Sequence, residues 1–347
     1  MKAIRYYGPG DIRIDEIPVP RIEQDEILLK IDACAVCGSD LKAYSAGNPR
    51  LHPPIVMGHE FCGTIAEAGE GVSGFIQGDR IVMATSISCG ECLYCKKGWT
   101  NLCIHLAPMG YFYNGGMAEY TVIPARAIQN GHVVKVPPDL KAEYAALAEP
   151  LSCAVNSVEK CGIGQGDTVL VMGAGPMGIL NACAAGYAGA GKIIMTEVNR
   201  ARLEQAAAFR VDLLLNGEEE NIREIIMHET GGYGADTVIV SAPAAAPQEE
   251  ALSLVRKNGT VCLFASLPSG RSNLNLDSRL IHYNEIRVTG SSDSTAGHVK
   301  KAIGMLSDPG FPADKIATHR LPLQGILEAF ELMKSGEALR VVLNPQE

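Results

Sequence analysis

The sequence predicts an α/β protein in two parts, a β-rich first domain and a doubly wound parallel sheet of six strands. Three observations carry this reading. Short runs of alternating apolar and polar residues, broken by glycine and proline, fill the chain to about residue 150. Beyond that point the period changes, and continuous apolar strands alternate with helical stretches. The first of those strands runs straight into a glycine-rich turn, Gly173-Ala174-Gly175-Pro176-Met177-Gly178.

At 347 residues the chain is long enough for two cores. Its 47% hydrophobic and 20% charged content is that of a globular protein. The net charge of −9 argues against nucleic acid and anionic membrane as partners, since both select for basic surface. Residues 168–191 carry no charge and are long enough to span a bilayer, but glycines, Pro176 and Asn181 point to a buried strand, turn and helix. The N-terminus has no long apolar core of a secretory signal, so the eleven cysteines read as metal ligands in a cytosolic protein.

The alternating runs of the first part include Ile12 to Asp15, Ile27 to Ile31, Cys62 to Ala66, Arg80 to Val82, Ala118 to Val122 and Val133 to Val136. Among them lies Cys89-x2-Cys92-x2-Cys95-x7-Cys103, beside Gly90 and Gly98. Four thiolates at this spacing can wrap one tetrahedral Zn²⁺, and a closed four-cysteine site has no open position, so its role is structural. An iron–sulfur cluster also uses four thiolates, but nothing else here suggests electron transfer.

A second metal-type stretch lies upstream. Cys37-Gly38-Ser39-Asp40 is followed by a connection containing Asn48-Pro49 and Pro53-Pro54, then by Gly58-His59-Glu60. A thiol, an imidazole and a carboxylate are all zinc ligand types, and a catalytic zinc needs about three of them with one position open. Cys37 and His59 are the first two, and Glu60, Glu149 and Cys153 compete for the third. Ser39 is placed to carry a proton away, unless its hydroxyl merely bonds the local backbone.

The second part opens with the strand Thr168–Met172, continuously apolar as a sheet covered on both faces requires. In Gly173 to Gly178 the glycines allow a tight turn and close approach of the backbone to a pyrophosphate, with Pro176 and Met177 opening the helix. A second strand, Lys192 to Thr196, ends in Glu197, nineteen residues after Gly178. A carboxylate there accepts from ribose hydroxyls and repels a 2′-phosphate, which favours NAD over NADP. Arg200 and Arg202 follow closely and could meet a phosphate. Further strands are predicted at 212–215, 236–241, 260–265 and 285–289, with helices at 179–187, 201–209, 222–229 and 248–256. Near the end, 299–306 and 323–334 read as helices and 339–343 as a last strand.

Taken together, Cys37 to Asp40, Gly58 to Glu60 with Gly63 and Gly69, the four clustered cysteines, Gly115 to Tyr120, Glu149-Pro150, Gly173 to Gly178 and Thr318 to Arg320 make the chain resemble the zinc-containing medium-chain alcohol dehydrogenases, nearest the sorbitol (polyol) and threonine branch. The resemblance implies a GroES-like catalytic domain over 1–152 with a structural zinc lobe near 86–106, a Rossmann NAD-binding domain over 153–289, and a return of 290–347 to the catalytic domain. It implies two zinc ions per chain, one catalytic and one structural, a homodimer or homotetramer, and hydride transfer from a secondary alcohol to NAD⁺. In the polyol branch a Glu-Pro glutamate takes the place of a cysteine ligand, which favours Glu149 with Glu60 beside it and leaves Cys153 as the alternative. Cys37, Ser39, His59, Glu60 and Glu149 are thus the expected catalytic set, with Gly173, Gly175, Pro176, Met177, Gly178, Glu197 and Arg202 for the cofactor.

Two departures bear on the substrate. Lys42 and Ala43 stand where polyol enzymes tend to carry histidine and tyrosine, and Ser241-Ala242-Pro243 replaces a usual Thr-Gly or Ser-Gly pair. The expected substrate is a polyol or sugar alcohol. Threonine, another amino alcohol or a sugar phosphate is the alternative on the same machinery, and a non-catalytic NAD sensor is the reading from a different class.

Overall fold

The structure, a computed structural model, describes residues 1–268 and 270–347. The chain divides into two compact units, one formed by Met1–Ser152 with Asp293–Glu347 and the other by Cys153–Ser292.

The first unit is built on a seven-stranded sheet. Its order runs Val133–Lys135, Arg80–Met83, Glu60–Ala68, Ile27–Ala35, Arg340–Asn344, Ala317–Pro322, and Tyr120–Ile123 also pairs with Ile27–Ala35. A three-stranded sheet of Asp11–Glu16, Lys2–Gly8 and Ile55–Val56 lies in the same unit. Ile27, Leu29, Ile31, Ile65, Ile81, Val341 and Leu343 share one apolar core there. The register of the central strands brings distant residues together. Ala35 pairs with Glu60 on one side and with Val342 on the other. Carried two residues further, those pairings put Cys37, His59 and Arg340 at the same end of the sheet.

The second unit is a six-stranded parallel sheet in the order Leu213–Asn216, Lys192–Glu197, Thr168–Met172, Ala235–Val240, Val255–Leu263, Arg287–Gly290. Strand order reverses beside Thr168–Met172, and in such sheets ligands bind beyond the strand ends at that switch point. The uncharged stretch at 168–191 resolves into the strand Thr168–Met172 and the helix Pro176–Ala188. Among the described residues no helix is long and apolar enough to cross a membrane.

Several boundaries differ from expectation. The helix expected through residue 256 is Ala245–Leu254, and Val255 already belongs to the next strand. The strand expected from residue 260 begins at Val255, and Asn258, at φ 55, lies in an irregularity inside it. The connection after Cys37 contains the helix Gly38–Ala46, hidden by its glycine and its mixed polarity. The strand Ala317–Pro322 and the helix Ser278–Asn284 were also not foreseen.

Candidate active site

Cys37 ends the run that follows the strand Ile27–Ala35 and caps the helix Gly38–Ala46. Asp40, in the first turn, accepts the Cys37 N–H at 2.9 Å, which fixes the direction of the cysteine. His59 and Glu60 come in at the start of the neighbouring strand, after Gly58. Gly58 has φ +92, and a Cβ there would lie 2.8 Å from the Cys34 sulfur, so the approach requires glycine. One ligand atom each from Cys37, His59 and Glu60 lies within 4.8 Å of the others.

The site is buried and unsatisfied in a particular way. Among the described residues, Ser39 Oγ, His59 Nδ1 and Glu60 Oε2 are buried without a hydrogen-bond partner, and Glu60 Oε1 meets only the Arg340 guanidinium. Asp40 Oδ1 is 3.8 Å from His59 Nδ1, near enough for charge but too far for a hydrogen bond. Arg340 Nη2 lies 3.1 Å from Glu60 Oε1, and its Nη1 donates to the Val36 carbonyl at 3.1 Å. Buried polar atoms are nearly always paired, so these unpartnered donors beside the Cys37 sulfur are a set that fits a cation.

Charges here shift one another. Burial alone would raise the Cys37 thiol, but His59 and Arg340 pull it well below its ordinary value, toward thiolate. Burial would lower His59, and the Cys37 and Asp40 charges outweigh it and raise the imidazole. Burial raises Glu60 well above the usual carboxylate range, Asp40 to about 6 and Glu149 to about 7. A divalent cation amid a thiolate and carboxylates would reverse those penalties, since its charge favours the ionised forms.

Glu149 stands in the first turn of the helix Ala148–Cys161, and Cys153 lies one turn further along it. Among the described residues, Glu149 is not part of the cluster formed by Cys37, His59 and Glu60. It feels the charges of His59 and Cys37 all the same, and that of Asp293. Asp293 was not anticipated. It sits at φ 60 and accepts from Ser86 Oγ and from the Ser294 N–H, the latter at 2.7 Å. Arg340 was also missed, although a charge inside Leu339 to Leu343 was a signal, because an arginine buried in an apolar strand requires a partner. Lys42 is exposed, whereas Ala43 is buried.

The four-cysteine lobe is compact. Its sulfurs are 3.9 Å (Cys89–Cys95), 3.4 Å (Cys92–Cys95) and 3.9 Å (Cys92–Cys103) apart. Tetrahedral zinc with bonds of about 2.3 Å sets sulfurs roughly 3.8 Å apart, so the donors fit that ion. Backbone N–H groups point at the sulfurs, as thiolates require: Cys89 N at 3.2 Å and His105 N at 3.3 Å from Cys103 Sγ, and Cys92 N at 3.4 Å from Cys89 Sγ. Backbone hydrogen bonding brings Cys92 down to about 6, while burial raises Cys103 to about 11.

In the second unit, the helix Pro176–Ala188 starts at Gly175 with Pro176 in its first turn. Gly173 has φ +107, and a Cβ on Gly178 would fall 1.8 Å from the Gly173 carbonyl, so both positions exclude a side chain. Glu197 reaches into this loop, with Oε2 accepting the Ala174 N–H at 2.9 Å. Arg202 Nη1 is 3.9 Å from the same oxygen. Asn181 Nδ2 donates to Ser241 Oγ at 3.2 Å, so the Ser241-Ala242-Pro243 departure is tied to the helix of the phosphate loop.

A doubly wound sheet with a glycine phosphate loop, joined in one chain to two compact sets of metal donors, has the make-up of a metal-dependent, dinucleotide-linked oxidoreductase. Comparison with known proteins narrows this class. Residues 23–138 match the family described as alcohol dehydrogenase GroES-like domain, and residues 176–308 match that described as zinc-binding dehydrogenase. The chain is 32% identical to a sorbitol dehydrogenase of Halalkalibacterium halodurans, over 99% of both chains. It is 33% identical to an L-threonine 3-dehydrogenase of Pyrococcus furiosus, over 99% of this chain and 97% of that one. The solved structure of an alcohol dehydrogenase from Thermus sp. ATN1 superposes with a TM-score of 0.89 at 29% identity, covering 99% of each chain. This chain belongs to the zinc-binding alcohol dehydrogenase family.

Proposed function

We propose that the protein oxidises a secondary alcohol of a polyol or sugar alcohol, using zinc and NAD⁺. The observation that carries this is the buried cluster of Cys37, His59 and Glu60, whose ligand atoms lie within 4.8 Å of one another and in which His59 Nδ1 and Glu60 Oε2 lack hydrogen-bond partners among the described residues. Full-length similarity to a sorbitol dehydrogenase supports the substrate class.

In this proposal Cys37 and His59 hold the catalytic zinc, Glu60 stands beside it, and Glu149 completes the set, with Cys153 as the alternative. Cys89, Cys92, Cys95 and Cys103 hold the structural zinc. Bound zinc supplies Lewis acidity at a substrate hydroxyl, and the dinucleotide accepts the hydride. The protein's own part is to hold charge and move a proton. Arg340 and His59 keep the Cys37 sulfur anionic, Asp40 orients the start of the helix behind it, and Ser39 Oγ, buried without a partner, is placed to carry the substrate proton outward. Gly173, Gly175, Pro176, Met177 and Gly178 receive the pyrophosphate, and Glu197, with Arg202 nearby, meets the adenosine ribose. A cytosolic homo-oligomer that binds neither nucleic acid nor membrane is part of the same proposal, in keeping with the net charge of −9.

A panel of polyols, cyclitols, sugar phosphates and threonine, incubated with purified protein and NAD⁺ and followed by NADH absorbance, tests the reading. Turnover of a polyol is expected, turnover of threonine alone would move the assignment to amino alcohols, and no turnover of any secondary alcohol would defeat both.

A further inference from the structure

Glu197 ends the strand Lys192–Glu197, and its side chain is 8% exposed. Its two oxygens do separate work. Oε1 accepts from the N–H groups of Val198 at 2.9 Å and Asn199 at 3.0 Å, which fixes the turn into the helix Arg200–Ala206. Oε2 accepts the N–H of Ala174 at 2.9 Å, and Ala174 is fully buried in the middle of the glycine loop. Gly173 is fastened to the same strand, its N–H donating to the Thr196 carbonyl at 2.7 Å.

The loop is therefore held to the second strand at two successive residues, once by backbone and once by the Glu197 carboxylate. A loop with φ +107 at Gly173 and no side chain at Gly175 or Gly178 has little of its own to hold its shape. Without the carboxylate, the Ala174 N–H would be buried facing no acceptor, which the loop could relieve only by moving.

We propose that Glu197 is a positioning residue for the phosphate loop, holding Ala174, and through it Gly173 to Gly178, in the shape that receives a pyrophosphate. This rests on the reading of the second unit as a dinucleotide domain and goes further than a ribose contact. An acid that only meets the ribose can be replaced to admit a 2′-phosphate. An acid that braces the loop cannot, because its loss weakens both dinucleotides.

The test compares full-length, zinc-loaded wild type with Glu197→Gln and Glu197→Asp. Glutamine is isosteric but has one acceptor oxygen, and aspartate keeps the charge but falls one methylene short of Ala174. Amide hydrogen exchange is measured without ligand, and binding of NADH and NADPH is measured by calorimetry. The brace predicts that the Ala174 amide exchanges about tenfold faster or more in both variants, while amides of Thr168–Met172 do not change. It also predicts that the Kd rises about tenfold for NADH and does not improve for NADPH. Unchanged exchange at Ala174 with tighter NADPH binding would overturn it and confine Glu197 to the ribose. If Glu197→Gln fails to fold, Glu197→Asp decides alone. If wild type binds neither dinucleotide, the dehydrogenase reading fails, and the exchange measurement still decides the brace.

Discussion

Arg340 and Glu60 form an ion pair at 3.1 Å with side chains only 3% and 1% exposed. They are 280 positions apart in sequence, and the strand Ile27–Ala35 joins them, because it pairs with the strand of each. Taking two charges out of water is costly, and the pair is tolerable only while both members are present. Arg340→Met should therefore destabilise the zinc-depleted protein by about 3–5 kcal/mol, whereas adding Glu60→Gln to it should cost less than the sum of the single changes. Denaturant unfolding of the two single variants and the double variant measures the coupling, and strict additivity would refute it.

The cysteine lobe should be separable from the catalytic cluster. Cys103→Ser removes one sulfur from a set that fits a single tetrahedral ion. Zinc content should drop from about two per chain to about one, and the midpoint of thermal unfolding should fall. Elemental analysis with a melting curve checks this. Retention of two zinc ions by the variant would contradict it.

Much of this was legible in the sequence, for identifiable reasons. The cysteine lobe and the glycine loop are local devices in which spacing alone dictates geometry, so Cys89 to Cys103 and Gly173 to Gly178 could be read directly. The central parallel strands Thr168–Met172, Lys192–Glu197 and Ala235–Val240 were legible because burial on both faces leaves uninterrupted apolar runs. Arg340 and Asp293 were not legible as site residues, because their neighbours come from strand register and from the return of the C-terminal segment. Glu149 was one of three candidates for the third ligand and was favoured by resemblance, and the structure sets it close to Asp293 rather than inside the Cys37 cluster. The helix Gly38–Ala46 escaped notice because its stability comes from packing on the first unit's core through Ala43 and Tyr44, and its own periodicity is weak.

His59→Ala tests the catalytic cluster without touching the cysteine lobe. Removing the imidazole should lower kcat/KM for the best polyol by about a thousandfold or more, since Lewis acidity contributes several kcal/mol. NADH affinity by calorimetry should stay near the wild-type value, because the phosphate loop lies in a different unit. Undiminished turnover would remove His59 from the reaction.

Gly178→Ala places a methyl 1.8 Å from the Gly173 carbonyl, a distance no rotamer can relieve because a Cβ has none. The loop must open, and NADH affinity should fall about tenfold or more. A Cβ at Gly175 meets nothing of the chain within 4 Å, so Gly175→Ala should fold normally and lose affinity only where the cofactor itself needs the space. Equal folding stability for the two variants would show that the Gly178 contact is not the constraint it looks to be.

The last prediction concerns acid stability. His132 is 2% exposed, and its Nε2 accepts the Ser88 N–H at 3.1 Å with Ser88 Oγ at 2.9 Å. A nitrogen that accepts a backbone N–H leaves the proton of the neutral ring on Nδ1, and protonating Nε2 would set two N–H groups against each other. Burial pushes the imidazole down to about 4, from an ordinary value of 6.5. The unfolded chain therefore takes up the proton first. This contribution to stability is complete above pH 6.5 and is lost as pH falls through 6.5 toward 4, up to about 3 kcal/mol in all. Ser88 immediately precedes Cys89, so the loss should reach the cysteine lobe and appear as earlier zinc release. His132→Asn should be less stable at neutral pH but should flatten this part of the pH profile. Urea unfolding at several pH values between 7 and 4.5 measures the slope, and equal slopes for variant and wild type would place the acid sensitivity elsewhere.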